Sequence, residues 1–230
     1  MSFKNALKAE PLVADISTHL IAITTGFSGD KLLLFGAVDG EGDIVIIIRG
    51  PTSDTIVRKK EQILGIWVNR HSVAYQNIPS FYSIASTKPV IEFMNESLRR
   101  QYQIGLDQIN LNVTEGEQDI EFQKALLRNK EKKNLYLAEP AKVIFLGNQL
   151  FRAEVFFPSN VPTGNYLVDV MLVRNNEIVG AFSTPLFVSK VGFSAAVYDW
   201  AHQQSALYGI ASIIIAVCAG SISYFIFRRK

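Results

Sequence analysis

The residues best suited to chemistry in this chain are three carboxylates close together in sequence. Asp39, Glu41 and Asp43 alternate with glycines, a composition that calcium-binding loops share. Their spacing is not that of an EF-hand, and acidic glycine-rich turns are common between paired strands. The pattern therefore favours a tight hairpin turn, with a metal site as the alternative.

The histidines give no catalytic or metal-binding pattern. His19, His71 and His202 are far apart and do not form HxH or HExxH spacings. The sequence also contains no GxSxG, GxxxxGK[ST] or GxGxxG motif. We expect no catalytic residue, no metal ligand, no cofactor and no enzyme activity. The alternative is an envelope hydrolase or metal-dependent enzyme built around His71, Asp39 and Asp43.

The end of the chain has the composition of a membrane span. Residues 207–227 carry no charge, and Arg228, Arg229 and Lys230 follow them directly. At the rise of an α-helix this segment is about 31 Å long, which matches a hydrocarbon core of about 30 Å. The sequence predicts one transmembrane helix at 207–227 and a cytoplasmic tail at 228–230, because cations are retained on the cytoplasmic side.

Small residues recur along one face of this predicted helix at steps of three and four. Such residues let two helices approach closely in lipid, so we expect a packing face for a second copy of this chain or for a polytopic membrane protein. Aromatic side chains near the start of the span are expected at the membrane–water interface. The packing face is Ser205, Gly209, Ser212, Ala216, Gly220 and Ser223, and the interface aromatics are Tyr198, Trp200 and Tyr208.

The region before the span is predicted to be mainly β, with a helical insertion. Strand-like alternation and turn residues fill 1–86 and return at 137–190, which favours one or two immunoglobulin-like β-sandwich domains. The connecting region 87–136 is expected to hold a helix that starts at Pro89 and runs to Tyr102, a loop at 113–119 and a helix at 119–132. Residues 191–206 are expected to form a juxtamembrane helix.

Several residues refine this β prediction. The run 44–48 is apolar at every position, so we expect a strand covered on both faces. Tyr166 follows a Pro/Gly turn, as in the tyrosine corner of immunoglobulin-like domains, although no Cys–Trp–Cys framework accompanies it. Trp67 is expected to be buried in the sandwich.

Bulk properties exclude some classes of protein. The net charge is only +2, and the sequence has no stripe of basic residues interleaved with aromatic ones. Nothing in it therefore suggests that the protein binds nucleic acid. The single cysteine, Cys218, lies inside the predicted span, so the rest of the chain has no disulfide and no thiol nucleophile.

Six segments together resemble the alphaproteobacterial putative transmembrane protein family, whose function is unknown. The resemblance implies a signal-bearing precursor, an envelope β-rich domain, one C-terminal membrane helix, and a membrane partner such as a sulfite-exporter-like permease. It offers no catalytic residues. The segments are HLIAITTGFSG at 19–29, FGAVDGEGDIVIIIRGP at 35–51, GIWVNR at 65–70, PSFYSIAS at 79–86, FPSNVPTGNY at 157–166 and PLFVSKVGFSAAVYDWAHQQSALYG at 185–209.

Two topologies are compatible with the sequence. The terminal cations favour an inner-membrane protein with residues 1–204 in the periplasm, where it would be accessory to a transporter or envelope complex. The N-terminus as written has no apolar core typical of a signal peptide, so this topology implies a lost leader. A cytosolic tail-anchored adaptor needs no leader, but three cations would have to cross the bilayer.

Overall fold

The computed structural model describes residues 11–63, 65–116, 119–137, 139–192 and 200–227. For residues 225–227 it describes the backbone and not the side chains. The chain divides into two compact units. The first comprises Met1–Ile21 and Phe27–Ser189, and the second comprises Ala22–Gly26 and Lys190–Lys230.

Most of the strands form one nine-stranded sheet. When the strands are numbered by their order in the chain, their order across the sheet is 1, 3, 10, 9, 7, 4, 11, 12, 2. Strands from the two predicted β regions therefore alternate, so that both regions build the same sheet. The strands are β1 Leu12–Ile16, β2 Leu20–Ile23, β3 Gly29–Val38, β4 Asp43–Arg49, β7 Tyr82–Ser86, β9 Ala141–Leu146, β10 Leu150–Pro158, β11 Gly164–Arg174 and β12 Glu177–Lys190.

The nine-stranded sheet curls on itself. A short parallel pair joins β7 to β9, with Ala85 opposite Ala141, and links two antiparallel groups of strands. The edge strand β1 contacts β11, and a Cβ atom placed on Gly180 of β12 would lie 3.0 Å from the Cβ of Leu12. The mainly β prediction is confirmed. An immunoglobulin sandwich has two separate sheets, and this continuous curled sheet does not show that finer class.

A second sheet contains three strands in the order β5, β6, β8. The strands are β5 Thr52–Ile63, β6 Ile66–Pro79 and β8 Asn112–Glu115. The first two form a long hairpin in which Ile63 faces Ile66. The predicted loop at 113–119 was wrong in its first residues, since Val113 pairs with Tyr75. Backbone pairing with β6 stabilises a strand that the polar local sequence did not indicate.

The helical region differs from its prediction near Pro89. A 3₁₀ turn at Val90–Glu92 is followed by a separate helix α1, Glu96–Tyr102, so a continuous helix from Pro89 was wrong. Asn95 interrupts it, because its extended backbone lets its side chain accept a hydrogen bond from the Leu98 amide at 2.8 Å. The second helix α2, Ile120–Lys132, with Asp119 as its N-cap, confirms the prediction.

The core is centred on β4, which lies between β7 and β11. Five consecutive residues of this strand are fully buried, as predicted from their apolar run. Phe81 stacks on Phe157 with ring centroids 4.8 Å apart, and Tyr166 packs against both rings. The Tyr166 hydroxyl donates to the Pro162 carbonyl at 2.6 Å, which is the hydrogen bond of a tyrosine corner.

A largely buried ion pair joins the helical region to the sheet. The Arg49 guanidinium lies 2.6 Å from the Asp169 carboxylate and also donates to the Tyr102 carbonyl at the end of α1. Ser183 on β12 donates to the same carboxylate at 2.6 Å. One network therefore holds β4, β11, β12 and α1 together.

Buried tyrosines under the helical region have perturbed acidities. Burial raises the pKa of Tyr82 to about 12, and its hydroxyl donates to the Gln103 carbonyl at 2.7 Å. Burial also raises the pKa of Tyr136, whose hydroxyl donates a hydrogen bond to the Pro79 carbonyl. Lys130 lies over the Tyr136 ring, and burial lowers the pKa of this amine. Lys130, near the C-terminal end of α2, is thus partly packed against the protein.

Candidate interaction surfaces

The acidic turn at 39–43 is held by hydrogen bonds and ion pairs of its own. Arg174 donates to the backbone carbonyls of Asp39 and Glu41. The Asp43 carboxylate accepts from the Thr87 hydroxyl at 2.9 Å and lies 3.3 Å from the Lys88 amine. These contacts give the turn a structural role. Within the described ranges no group of three or more His, Cys, Asp or Glu side chains could hold a metal ion.

The residues of the enzyme alternative lie in different sheets. His71 is on β6 of the three-stranded sheet, 3.8 Å from Glu61. Asp39 and Asp43 flank the turn between β3 and β4 of the nine-stranded sheet. His19 lies 3.5 Å from Asp15. Trp67 is 64% exposed, so the prediction of a buried tryptophan was wrong.

An open cleft of about 1130 Å³ lies beside the acidic turn. Asp43, Lys88, Arg174 and Asn176 line it, and the Asn176 side chain accepts from the Asn95 amide at 2.5 Å. Each of these four side chains already forms a hydrogen bond or an ion pair within the protein. None of them is a nucleophile placed beside a general base. The cleft therefore does not favour a particular reaction.

The second unit contains a helix with the properties of a membrane span. This helix, α3, is Ser205–Phe227, and by length and composition its segment Ser205–Tyr224 could cross a bilayer. Its large apolar side chains are exposed in the described part of the chain, including Ile213, Ile215 and Val217. Such a surface is stable only against lipid or another apolar helix.

The predicted packing face of α3 is open. Nothing lies within 4 Å of a Cβ atom placed on Gly209 or Gly220. The Ser212 hydroxyl donates to the Tyr208 carbonyl one turn earlier at 2.8 Å, so its hydrogen bond stays within the helix. Ser205, Ala216 and Ser223 are also exposed. The face can therefore accept a second helix at close range.

The interface aromatics are only partly described. Trp200 and Tyr208 form an edge-to-face pair with ring centroids 5.4 Å apart near the start of the apolar segment. Tyr198 and the topology determinants Arg228, Arg229 and Lys230 lie outside the described residues. The structure leaves their predicted roles as predictions.

The first unit carries an exposed apolar surface that the sequence did not predict. In the register of the sheet, Val13, Ala37, Leu150 and Leu146 lie opposite one another across β1, β3, β10 and β9. The next row on the same face places Phe35 beside Arg152 and Arg152 beside Ile144. We call this surface the outer apolar face; it consists of Val13, Phe35, Ala37, Ile144, Leu146 and Leu150.

The large side chains of the outer apolar face are 44–55% exposed. Their neighbours on the inner face, such as Phe151 and Val155, are buried as the alternation in β10 predicted. A signal was present in the sequence, because Leu150 and Phe35 occupy positions that polar residues hold in a strand with one solvated face. Recognising one surface required the register that joins four strands.

Comparison with protein families identifies the chain. A model of the family described as Putative transmembrane protein (Alph_Pro_TM) matches residues 11–229. The chain belongs to this family. The match covers both the strands and α3, so membership in Alph_Pro_TM supports the assignment of α3 as a membrane segment. No curated protein matches the chain.

Proposed function

We propose that this Alph_Pro_TM protein is a non-enzymatic interaction module that one helix anchors in the bacterial inner membrane. Its partner is a polytopic membrane protein, such as a transporter of the sulfite-exporter-like class. The β-rich unit lies in the periplasm and the C-terminus in the cytoplasm. The observation that carries this proposal is the outer apolar face on a domain tethered to a membrane span.

The shape and composition of the outer apolar face favour a protein partner. Contiguous apolar patches are uncommon on soluble domains and often mark binding surfaces. Here the patch extends over four paired strands and is therefore broad, and Asp15 and Arg152 place both charge signs on it. A mixture of an apolar centre with polar groups is typical of protein–protein interfaces.

The anchor offers a second contact with the same partner. Open glycines at positions 209 and 220 allow a helix of the partner to approach closely within the lipid. The cations at 228–230, which resist transfer across the bilayer, support the proposed orientation. The hydrogen bond from Tyr166 to Pro162 supports the further proposal that the β-rich unit is related to immunoglobulin-like domains.

Site-specific photocrosslinking in cells tests the outer apolar face. A photoreactive amino acid placed at Phe35 or Ile144 should crosslink the full-length protein to one integral membrane protein. The same probe at Lys124, an exposed position on α2, is the matched control and should give no such product. Equal products from all three positions, or a product that is only a second copy of this chain, would contradict the proposed partner.

Bulky substitutions test the helix contact. Gly220→Leu and Ala216→Phe should each reduce co-purification of the crosslinked partner, because a large side chain separates the helices. Ile214→Phe, on another face of α3, is the control and should leave recovery unchanged. All three variants should still fractionate with membranes. Undiminished recovery with both Gly220→Leu and Ala216→Phe would exclude this face as the contact.

Two further measurements address the alternatives. A fluorescent protein fused to the C-terminus should fold and fluoresce, since the C-terminus is proposed to be cytoplasmic; a dark fusion would favour the tail-anchored adaptor. A divalent cation should not raise the unfolding temperature of the purified protein. A rise that disappears in Asp43→Asn would instead favour the metal-dependent enzyme.

A further inference from the structure

The β5–β6 hairpin ends as a two-stranded ribbon. The third strand, β8, pairs with β6 only at Ala74–Gln76, and α2 reaches β5 near Lys59, whose amine lies 3.1 Å from Glu121. Beyond Lys59 the hairpin continues to its turn at Ile63 and Ile66, about 14 Å farther at the rise of a strand. A ribbon of this kind has two exposed faces and little stability of its own.

The tip of this ribbon is apolar on both faces. Directly opposed residues share a face, so Ile63, Ile66 and Val68 lie on one side. Trp67 lies on the other side, opposite Gln62. The exposed fractions of these four side chains range from 38% to 68%. We call Ile63, Ile66, Trp67 and Val68 the hairpin tip.

Cations surround the base of the hairpin tip. Arg58, Lys59, Lys60 and Arg70 lie within 58–71, where Glu61 is the single carboxylate. Glu61 lies 3.2 Å from Arg70, and Glu121 lies 3.1 Å from Lys59 and raises the pKa of its amine. Arg58 and Lys60 make no ion pair in the described structure. A basic ring behind an apolar tip matches the charge pattern of an anionic bilayer surface.

We propose that the hairpin tip inserts into the interfacial layer of an anionic lipid bilayer. The four large side chains enter the boundary between headgroups and acyl chains, and the cations behind them contact lipid phosphates. The same polypeptide carries α3, so the hairpin is tethered to a bilayer wherever that helix is inserted. Tethering raises the effective concentration of the bilayer surface, and a small apolar tip is then sufficient.

The two-sided distribution of apolar groups distinguishes lipid from a protein groove. A sheet or groove on a protein covers one face of a strand pair and would leave either Trp67 or the isoleucines in water. Lipid surrounds an inserted tip and covers both faces. Tryptophan is also enriched at the membrane–water interface, because its ring is apolar and its indole N–H donates a hydrogen bond.

Tryptophan fluorescence of the full-length protein tests this proposal. Trp67 and Trp200 are the tryptophans of the chain, so Trp200→Phe isolates Trp67 and Trp67→Phe isolates Trp200. The Trp200→Phe protein is reconstituted into phosphatidylcholine vesicles with and without phosphatidylglycerol, and with brominated phosphatidylcholine as a quencher. We expect Trp67 emission to shift to shorter wavelength and to be quenched in the anionic vesicles.

Charge variants measure the electrostatic part. Lys60→Gln and Arg70→Gln should each lower the ratio of inserted to free hairpin about fivefold, as expected for one cation near an anionic surface. Lys124→Gln on α2 is the matched control and should have no effect. Quenching of Trp67 that is equal in neutral and anionic vesicles would contradict the proposed contact between the cations and lipid phosphates. Absence of quenching in both kinds of vesicle would overturn the proposed insertion of the hairpin tip. Neither readout depends on an unidentified protein partner, so this test can fail while the proposed function stands.

Discussion

Removing Arg49 should strongly destabilise the β-rich unit. Its guanidinium lies 2.6 Å from Asp169, and the two side chains are 23% and 11% exposed. Arg49→Met keeps the length and packing of the side chain but leaves the Asp169 carboxylate without its cation. An uncompensated buried charge costs about 3–5 kcal/mol. The hydrogen bond from Ser183 remains at 2.6 Å, so we expect a loss near the lower end, about 3 kcal/mol.

The experiment is a double-mutant cycle on the full-length protein in mild detergent. The free energy of unfolding is measured by urea titration with far-UV circular dichroism. Arg49→Met combined with Asp169→Leu should be more stable than Arg49→Met alone, because the stranded charge is removed. Arg100→Met is the matched control: its pair with Glu96 is 2.7 Å long but 73% and 65% exposed, so its loss should cost less than about 1 kcal/mol. The reasoning is refuted if the double variant loses the sum of the two single losses.

Two further variants probe other parts of the unit. Gly36→Ala should destabilise the β-rich unit by about 1–3 kcal/mol, because the new Cβ would clash with the Val13 carbonyl oxygen and lie 2.5 Å from the Phe151 ring. The same urea titration measures this loss. Gly26→Ala is the control, since a Cβ atom at that position meets nothing within 4 Å. The free energy of unfolding should also fall as the pH rises from about 10 to about 12, because the pKa of Tyr82 is near 10 in the unfolded chain and is raised to about 12 in the folded protein. Tyr82→Phe should reduce this pH-dependent loss by about 2 kcal/mol. An unchanged pH dependence would show that Tyr82 is not its source.

The sequence was most informative where local pattern and tertiary environment agree. The apolar run 44–48 predicted a strand covered on both faces, and α2 follows the periodicity at 119–132. Trp67 shows the opposite case, since its size and neighbours suggested burial although it lies on a ribbon that no other described element covers. The break at Asn95 depends on a cap that competes with a continuous helical pattern.

The candidate surfaces were harder to predict than the strands. The outer apolar face joins residues from β1, β3, β10 and β9, and their proximity follows from a register that alternation alone does not give. By contrast, the packing face of α3 lies within one helix and could be read from spacing. Surfaces assembled from distant segments therefore need the fold, whereas those within one element do not.

Alternation of early and late strands in one sheet has a consequence for biogenesis. Ala37 pairs with Leu150, and Ile46 pairs with Val170, so one edge of β3 and one edge of β4 pair only with a segment made more than a hundred residues later. Chains with such distant pairings fold slowly and expose unpaired edges meanwhile. In a nascent first half of this polypeptide, β3 can pair with β1 and β4 with β7, but the other edges of β3 and β4 stay unpaired until β10 and β11 emerge. Protection of those edges during synthesis is therefore a requirement of the architecture.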